Sequence, residues 1–107
     1  GSLKMNQWLY KDTFREGITI KDLKPNDTIY ISKIVSGYQV FYECSFIKFE
    51  KGIVTTKYLN VEHNWVRKTQ YENHIITAKP TSCFLWGRDD KDSYQKCHWF
   101  NKKGECN

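Results

Sequence analysis

From Thr28 onward the apolar residues follow the period of a strand rather than that of a helix. Thr28–Val35 alternates and is rich in β-branched residues, and Ser36-Gly37 breaks it. Tyr38–Glu50 is a long aromatic and β-branched run, Lys51-Gly52 is a tight-turn signal, and Ile53–Trp65 runs back. A two-residue loop at Lys51-Gly52 pairs Phe49 with Val54, Cys44 with Leu59 and Tyr42 with Val61. One face then carries Val40, Tyr42, Cys44, Phe46, Leu59 and Val61. The other carries Phe41, Ile47, Phe49, Val54 and Tyr58. A flat sheet with one wet face does not put apolar side chains on both sides. Two long strands whose buried face changes along their length predict a sheet that bends.

Further along, His74–Ala78 is a short strand stopped by Pro80, which lacks the ladder donor. Ser82–Trp86 and Tyr94–Phe100 read as the arms of a last hairpin across residues 87–93, with Cys83 opposite Cys97. Asn101–Gly104 then turns the chain once more. An exposed edge near Pro80 or at Thr28–Val35 would allow pairing into a dimer. Before Thr28 the pattern is weaker. Met5, Trp8 and Leu9 stand at i, i+3 and i+4, which permits a short N-terminal helix over Met5–Arg15 stopped by Gly17. The alternative is an edge strand through Trp8–Phe14. Gly1-Ser2 reads as a cloning remnant and Met5 as the native start, which sets residues 1–4 aside and leaves 5–107 as one small β domain. The expected class is mainly β: a five-stranded antiparallel barrel or rolled sheet, its strands joined by short connections.

The stretch Asp22-Leu23-Lys24-Pro25-Asn26-Asp27-Thr28-Ile29-Tyr30-Ile31 resembles the opening of SH3-like and KOW-type small barrels. Those families often begin with a leucine, a proline-containing turn, an aspartate and an apolar first strand. The resemblance covers residues 22–65, and Asn26 stands where the turn usually has glycine. It implies binding through loops and one open face, although fold does not dictate function.

Composition adjusts this picture modestly. Apolar residues are 39% of the chain and aromatics 16%, as in a folded protein. No apolar run approaches the roughly 18 residues of a membrane span. The Asn26-Asp27-Thr28 sequon is a weak hint of secretion, and the expected location is the cytoplasm. The net charge of +5 invites a nucleic-acid reading, but bases and acids number five and four over residues 1–32, seven and four over 33–79, and five and four over 80–107. A spread excess is the mark of a solvated, mildly basic surface.

Candidate chemistry is sparse. Cys44, Cys83, Cys97 and Cys106 form no Cys-x-x-Cys pair and match no zinc spacing. With the last hairpin in the register above, Cys83, Cys97 and Cys106 share one face. They then read as buried thiols, as a Cys83–Cys97 disulfide, or as a metal site. His63, His74 and His98 have no nucleophile motif beside them. Asp89, Asp90 and Asp92 lack EF-hand spacing, and no glycine-rich phosphate loop is present. No catalytic residue, cofactor or metal is therefore assigned, and the chain is not read as an enzyme.

Aromatic side chains interleaved with bases are the remaining signal. Trp86, Tyr94 and Phe100 share a face with Lys96 and His98, and Arg88 stands in the adjoining loop; Trp65, Arg67 and Lys68 make a second patch. Such mixtures serve as protein-binding hot spots or as stacking platforms for bases, or the rings simply fill the core of so small a barrel. The expected function is a non-enzymatic binding protein that docks on a protein or nucleoprotein, as a monomer or dimer. The Asn-, Lys-, Tyr- and Ile-rich composition resembles that of small phage and mobile-element proteins, which implies an inhibitor of host defence such as an anti-CRISPR acting in the host cytoplasm. The alternative is a nucleic-acid-binding β-barrel.

Overall fold

The computed structural model describes residues 10–63, 66–68 and 74–106, with the backbone alone at 59–63 and 66–68. The strands are β1 (Thr28–Val35), β2 (Tyr38–Glu50), β3 (Ile53–His63), β4 (Val66–Lys68), β5 (His74–Ala78), β6 (Cys83–Gly87) and β7 (Lys96–Trp99). They form one antiparallel sheet in the order β4-β3-β2-β1-β6-β7. β5 takes the same flank of β3 as β4, pairing Val54–Tyr58 while β4 pairs Val61–His63. The described strands number seven rather than five, and the sheet rolls without closing into a barrel.

Two hairpin turns set the register. Ser36 and Gly37 have φ 51° and 81°, and Lys51 and Gly52 have φ 52° and 76°. Positive φ at both central residues is the type I′ geometry, whose twist matches that of the flanking strands. From the second turn the expected pairings Phe49–Val54 and Tyr42–Val61 are both present, but Cys44 lies opposite Tyr58 rather than Leu59. Ile47 is extra on β2 and Leu59 is extra on β3, so two bulges on opposite strands cancel. At Ile47 β2 changes which parity faces inward. Phe49 therefore packs on the same core as Cys44 and Phe46, where Val54 and Tyr58 of β3 also lie. Tyr42, Cys44, Phe46, Phe49, Val54 and Tyr58, assigned to two faces, thus share one core, while Phe41 packs on the other.

That larger core joins Ile29, Ile31, Cys44, Phe46, Val54, Cys83 and Leu85 with Ile18, Ile20, Leu23 and Phe100. Ile20 begins a single 3₁₀ turn, Ile20–Asp22, whose Thr19 and Asp22 form a reciprocal capping box. Its Ile20 amide donates to Gly104 O at 2.8 Å, which ties this segment to the C-terminal turn across the open side of the roll. Asn26 has φ 79°, and Asp27 N donates to Lys24 O at 3.0 Å. Pro25-Asn26 is thus a type II turn in which asparagine takes the left-handed position usual for glycine.

The opposite face holds a smaller aromatic core of Tyr10, Tyr30 and Phe84, flanked by Phe41, Trp86, Cys97 and Trp99. An extended strap brings Tyr10 onto it. Thr13 and Phe14 amides both donate to Trp86 O, at 2.6 and 2.9 Å, and Lys11 N donates to the Tyr30 hydroxyl at 2.6 Å. Residues 10–15 are accordingly neither helix nor strand; backbone amides of this segment bond to Trp86 on β6 and to the Tyr30 hydroxyl on β1 instead. Residues 5–9 of the expected helix lie outside the described residues. Gly87 permits the close approach of the strap. It has φ 149°, and a Cβ there would stand 3.1 Å from Asp12 Oδ1 and 3.2 Å from Phe14 Cβ. Gly87→Ala is expected to cost about 1–3 kcal/mol from backbone strain alone, read as a lowered urea midpoint. An unchanged midpoint would mean that the strap does not lie where it is described.

Candidate docking surface

The last hairpin departs most from expectation. β6 and β7 pair Phe84–Trp99, Leu85–His98, Trp86–Cys97 and Gly87–Lys96. The register is three residues from the expected one because Gly87 belongs to the strand and the loop runs from Arg88 to Gln95. An odd shift exchanges the faces. Cys83 thus faces the larger core while Cys97 packs against the aromatic one, and Cys83 lies beside Phe100, whose amide donates to its carbonyl at 3.1 Å. Of the three readings of the cysteines, the thiol one fits: all four are free, Cys44 and Cys83 buried and Cys97 and Cys106 half-buried, and Cys83 and Cys97 do not share a face. Among the described residues no group of three His, Cys, Asp or Glu side chains is placed to hold a metal ion.

Burial pushes the Cys44 and Cys83 thiols up to about 12, and those of Cys97 and Cys106 up to about 11. The thiolate is the reactive form, so none of the four is an activated nucleophile at neutral pH. With an aromatic disulfide reagent at pH 8, Cys44 and Cys83 are expected to stay unmodified until the chain is unfolded, with Cys97 and Cys106 reacting slowly. The same shifts give a sign to the alkaline limb of stability. The unfolded chain loses these protons near the ordinary value of 9.0 and the folded chain holds them, so stability falls as pH rises from about 9 toward 12.

The residues expected to bind are not one surface. Phe100 is buried in the larger core, and His98 is 1% exposed. Its ring stacks on Phe14 at 3.5 Å and its Nε2 lies 2.8 Å from Gly87 O. Trp86 is half-buried against Tyr10, with Nε1 donating to Gln95 Oε1 at 3.2 Å. Arg88, Tyr94 and Lys96 are exposed on the loop and its exit. There Lys96 Nζ bonds Asp92 at 2.8 Å, while Asp89 and Asp92 side chains accept from the amides of Lys91 and Tyr94. The hydrogen bond to Lys96 holds the Asp92 carboxyl below its ordinary range. The three-carboxylate loop thus organises its own backbone. Trp65 lies outside the described residues, and Arg67 and Lys68 are placed by backbone only, on β4.

Exposed apolar side chains among the described residues also stand at the β1–β2 hairpin, where Ile34 is 71% exposed, Tyr38 55% and Val35 43%. Val35 and Tyr38 lie opposite each other across the Ser36-Gly37 turn and share one face, while Ile34, opposite Gln39, is on the other face of the same hairpin tip. They are uncovered because β1 is longer than its second neighbour. β2 pairs all eight residues of β1, whereas β6 pairs only Tyr30 and Ile31. Beyond Ile31 the chain preceding β6 folds into the 3₁₀ turn Pro80–Ser82. The second half of β1 therefore has one flank with no strand partner among the described residues. The expected exposed edge at Thr28–Val35 is confined to this half, since the first half is central. Pro80 itself is buried in its turn. Apolar composition alone gives no sign that Ile34 and Val35 are outside. The informative signal would have been the shortness of Cys83–Gly87 against the eight residues of Thr28–Val35.

Among the described residues no helix is long and apolar enough to cross a membrane. No protein-family model, no curated protein and no solved structure matches the chain.

Proposed function

We propose that this protein is a non-enzymatic binding module that docks on a protein partner, free or within a nucleoprotein, through the β1–β2 hairpin. The observation that carries this reading is the conjunction of exposed Ile34, Val35 and Tyr38 with an open strand flank. Unpaired strand backbone is a template for another strand, and apolar side chains beside it supply specificity pockets with something to grip. A monomer gains nothing by exposing both in one place. Lys33 adjoins the patch and the chain carries a net charge of +5, so the fitting partner offers an extended segment or sheet edge with apolar residues and an acidic rim. The compositional likeness to small phage proteins makes an inhibitor of host defence, such as an anti-CRISPR, the biological setting of this reading.

Capture from candidate host lysates, run in parallel with wild type, the double variant Ile34→Asp/Tyr38→Ala and Lys102→Gln, tests the reading. An acidic protein retained by wild type and Lys102→Gln and lost with the double variant is the expected result. Retention by all three chains would remove the hairpin from the interface. Concentration-dependent dimerisation abolished by the double variant would instead make the partner a second copy of this chain.

A further inference from the structure

A second feature lies at the far end of β2. Lys51, Gly52, Ile53, Lys79, Pro80, Thr81 and Lys102 line a cleft of about 410 Å³. Three segments distant in sequence build it. The β2–β3 turn supplies Lys51. The Val54–Ala78 pairing draws Lys79 and the Pro80–Ser82 turn alongside Ile53. The C-terminal turn supplies Lys102, and it is seated there because Gly104 packs against Phe49 and Ile20, where a Cβ would come within 3.3 Å of the Phe49 ring.

The cleft is basic: three lysines and no acidic side chain line it. The nearby Lys48, by contrast, stands 3.6 Å from Glu50. Lys51, Lys79 and Lys102 are in no ion pair with a described residue, and no carboxylate lines the cleft. Like charges lining one cleft repel one another, and the cost is relieved when an anion enters. The lining is mixed: the three lysines and the Thr81 hydroxyl are donors, and Ile53, 40% exposed, is apolar. The volume falls in the range of small-molecule sites, larger than a bare inorganic anion requires.

We propose that this cleft binds nucleotide phosphate, the three lysines on the phosphate oxygens and Ile53 against the sugar or base. The shared chemistry is a phosphate ester of nucleotide size, whether a free nucleotide or one unit of a single strand. The site is independent of the hairpin, since the two lie at opposite ends of the 13-residue β2.

Two probes distinguish the sources: ATP in the presence of a chelator, and a fluorescein-labelled 15-nucleotide oligothymidylate. Each is titrated into the ¹⁵N-labelled chain, and the oligonucleotide also by anisotropy. Amide shifts confined to residues 51–53, 79, 81 and 102 are expected for at least one probe. Binding should weaken at least 10-fold in Lys51→Gln/Lys79→Gln/Lys102→Gln and be unchanged in Lys24→Gln, whose exposed side chain is outside the cleft lining, with thermal unfolding unaltered in both. If the strand is the source, three phosphate contacts predict about 20-fold weaker binding between 50 and 200 mM salt, from a slope of about −0.7 per neutralised phosphate. A response to ATP alone assigns the free nucleotide. No response at these amides to either probe at millimolar concentration, or shifts that persist in the triple variant, overturns the proposal.

Discussion

Phe84→Ala is expected to be the most damaging single substitution described here, costing about 3–5 kcal/mol. Phe84 is fully buried, and its ring centroid lies 4.6 Å from Trp99, 5.4 Å from Tyr30, 5.7 Å from Tyr10 and 6.1 Å from Phe41. Truncation removes the apolar area of one ring and the edge and face contacts of four others. It also leaves a hole that cannot collapse, because Tyr10 is fixed by the strap and Tyr30 by its hydroxyl bond to Lys11. Domains of this size have about 5–15 kcal/mol in all. At roughly 4–8 °C per kcal/mol, the melting temperature should fall by at least about 12 °C. Tyr94→Ala is the matched control: Tyr94 is 77% exposed, and its loss should change stability by no more than about 0.5 kcal/mol. Equal costs for the two variants would mean that the last hairpin presents its aromatic face to solvent.

The second large effect is on binding. Ile34→Asp/Tyr38→Ala should weaken partner affinity by at least about 30-fold, the scale set by truncating a hot-spot aromatic. The aspartate adds repulsion against an acidic rim. Most of the loss should appear as faster dissociation. Stability should hold, because Ile34 and Tyr38 are largely exposed and neither belongs to a core cluster. Thermal unfolding of the variant beside wild type separates the two effects. Lost affinity with an unchanged melt supports an interface role; a melt lowered by several degrees would assign these residues to the fold instead.

Sequence carried the local geometry well where a turn residue left no choice. Ser36-Gly37, Lys51-Gly52 and Pro25-Asn26 are turns whose φ values only a few residue types accept, and each stands where the pattern placed it. The β2–β3 hairpin was legible in outline, down to Tyr42 opposite Val61. Its bulges at Ile47 and Leu59 were not, because an inserted residue leaves composition untouched and shows only as a change of inward parity. The strap failed for a related reason. Its bonds are to Trp86, over 70 positions away, and no local period reports that. The last hairpin failed through one residue. Reading Gly87 as the start of the loop, rather than as a strand residue holding the strap close, shifted the register by an odd number. Cys97 and Cys83 were thereby placed on one face, and Phe100 and His98 on the face of Trp86 and Tyr94. The docking patch was missed because exposure of Ile34 and Val35 depends on how far β6 extends beside them.

Amide hydrogen exchange on the captured complex tests the hairpin reading most directly. Addition of a partner strand predicts slowed exchange in residues 32–38, with residues 51–53 and 88–95 unchanged. Protection confined to the 88–95 loop, or complex formation with residues 32–38 exchanging as fast as in the free chain, would contradict it.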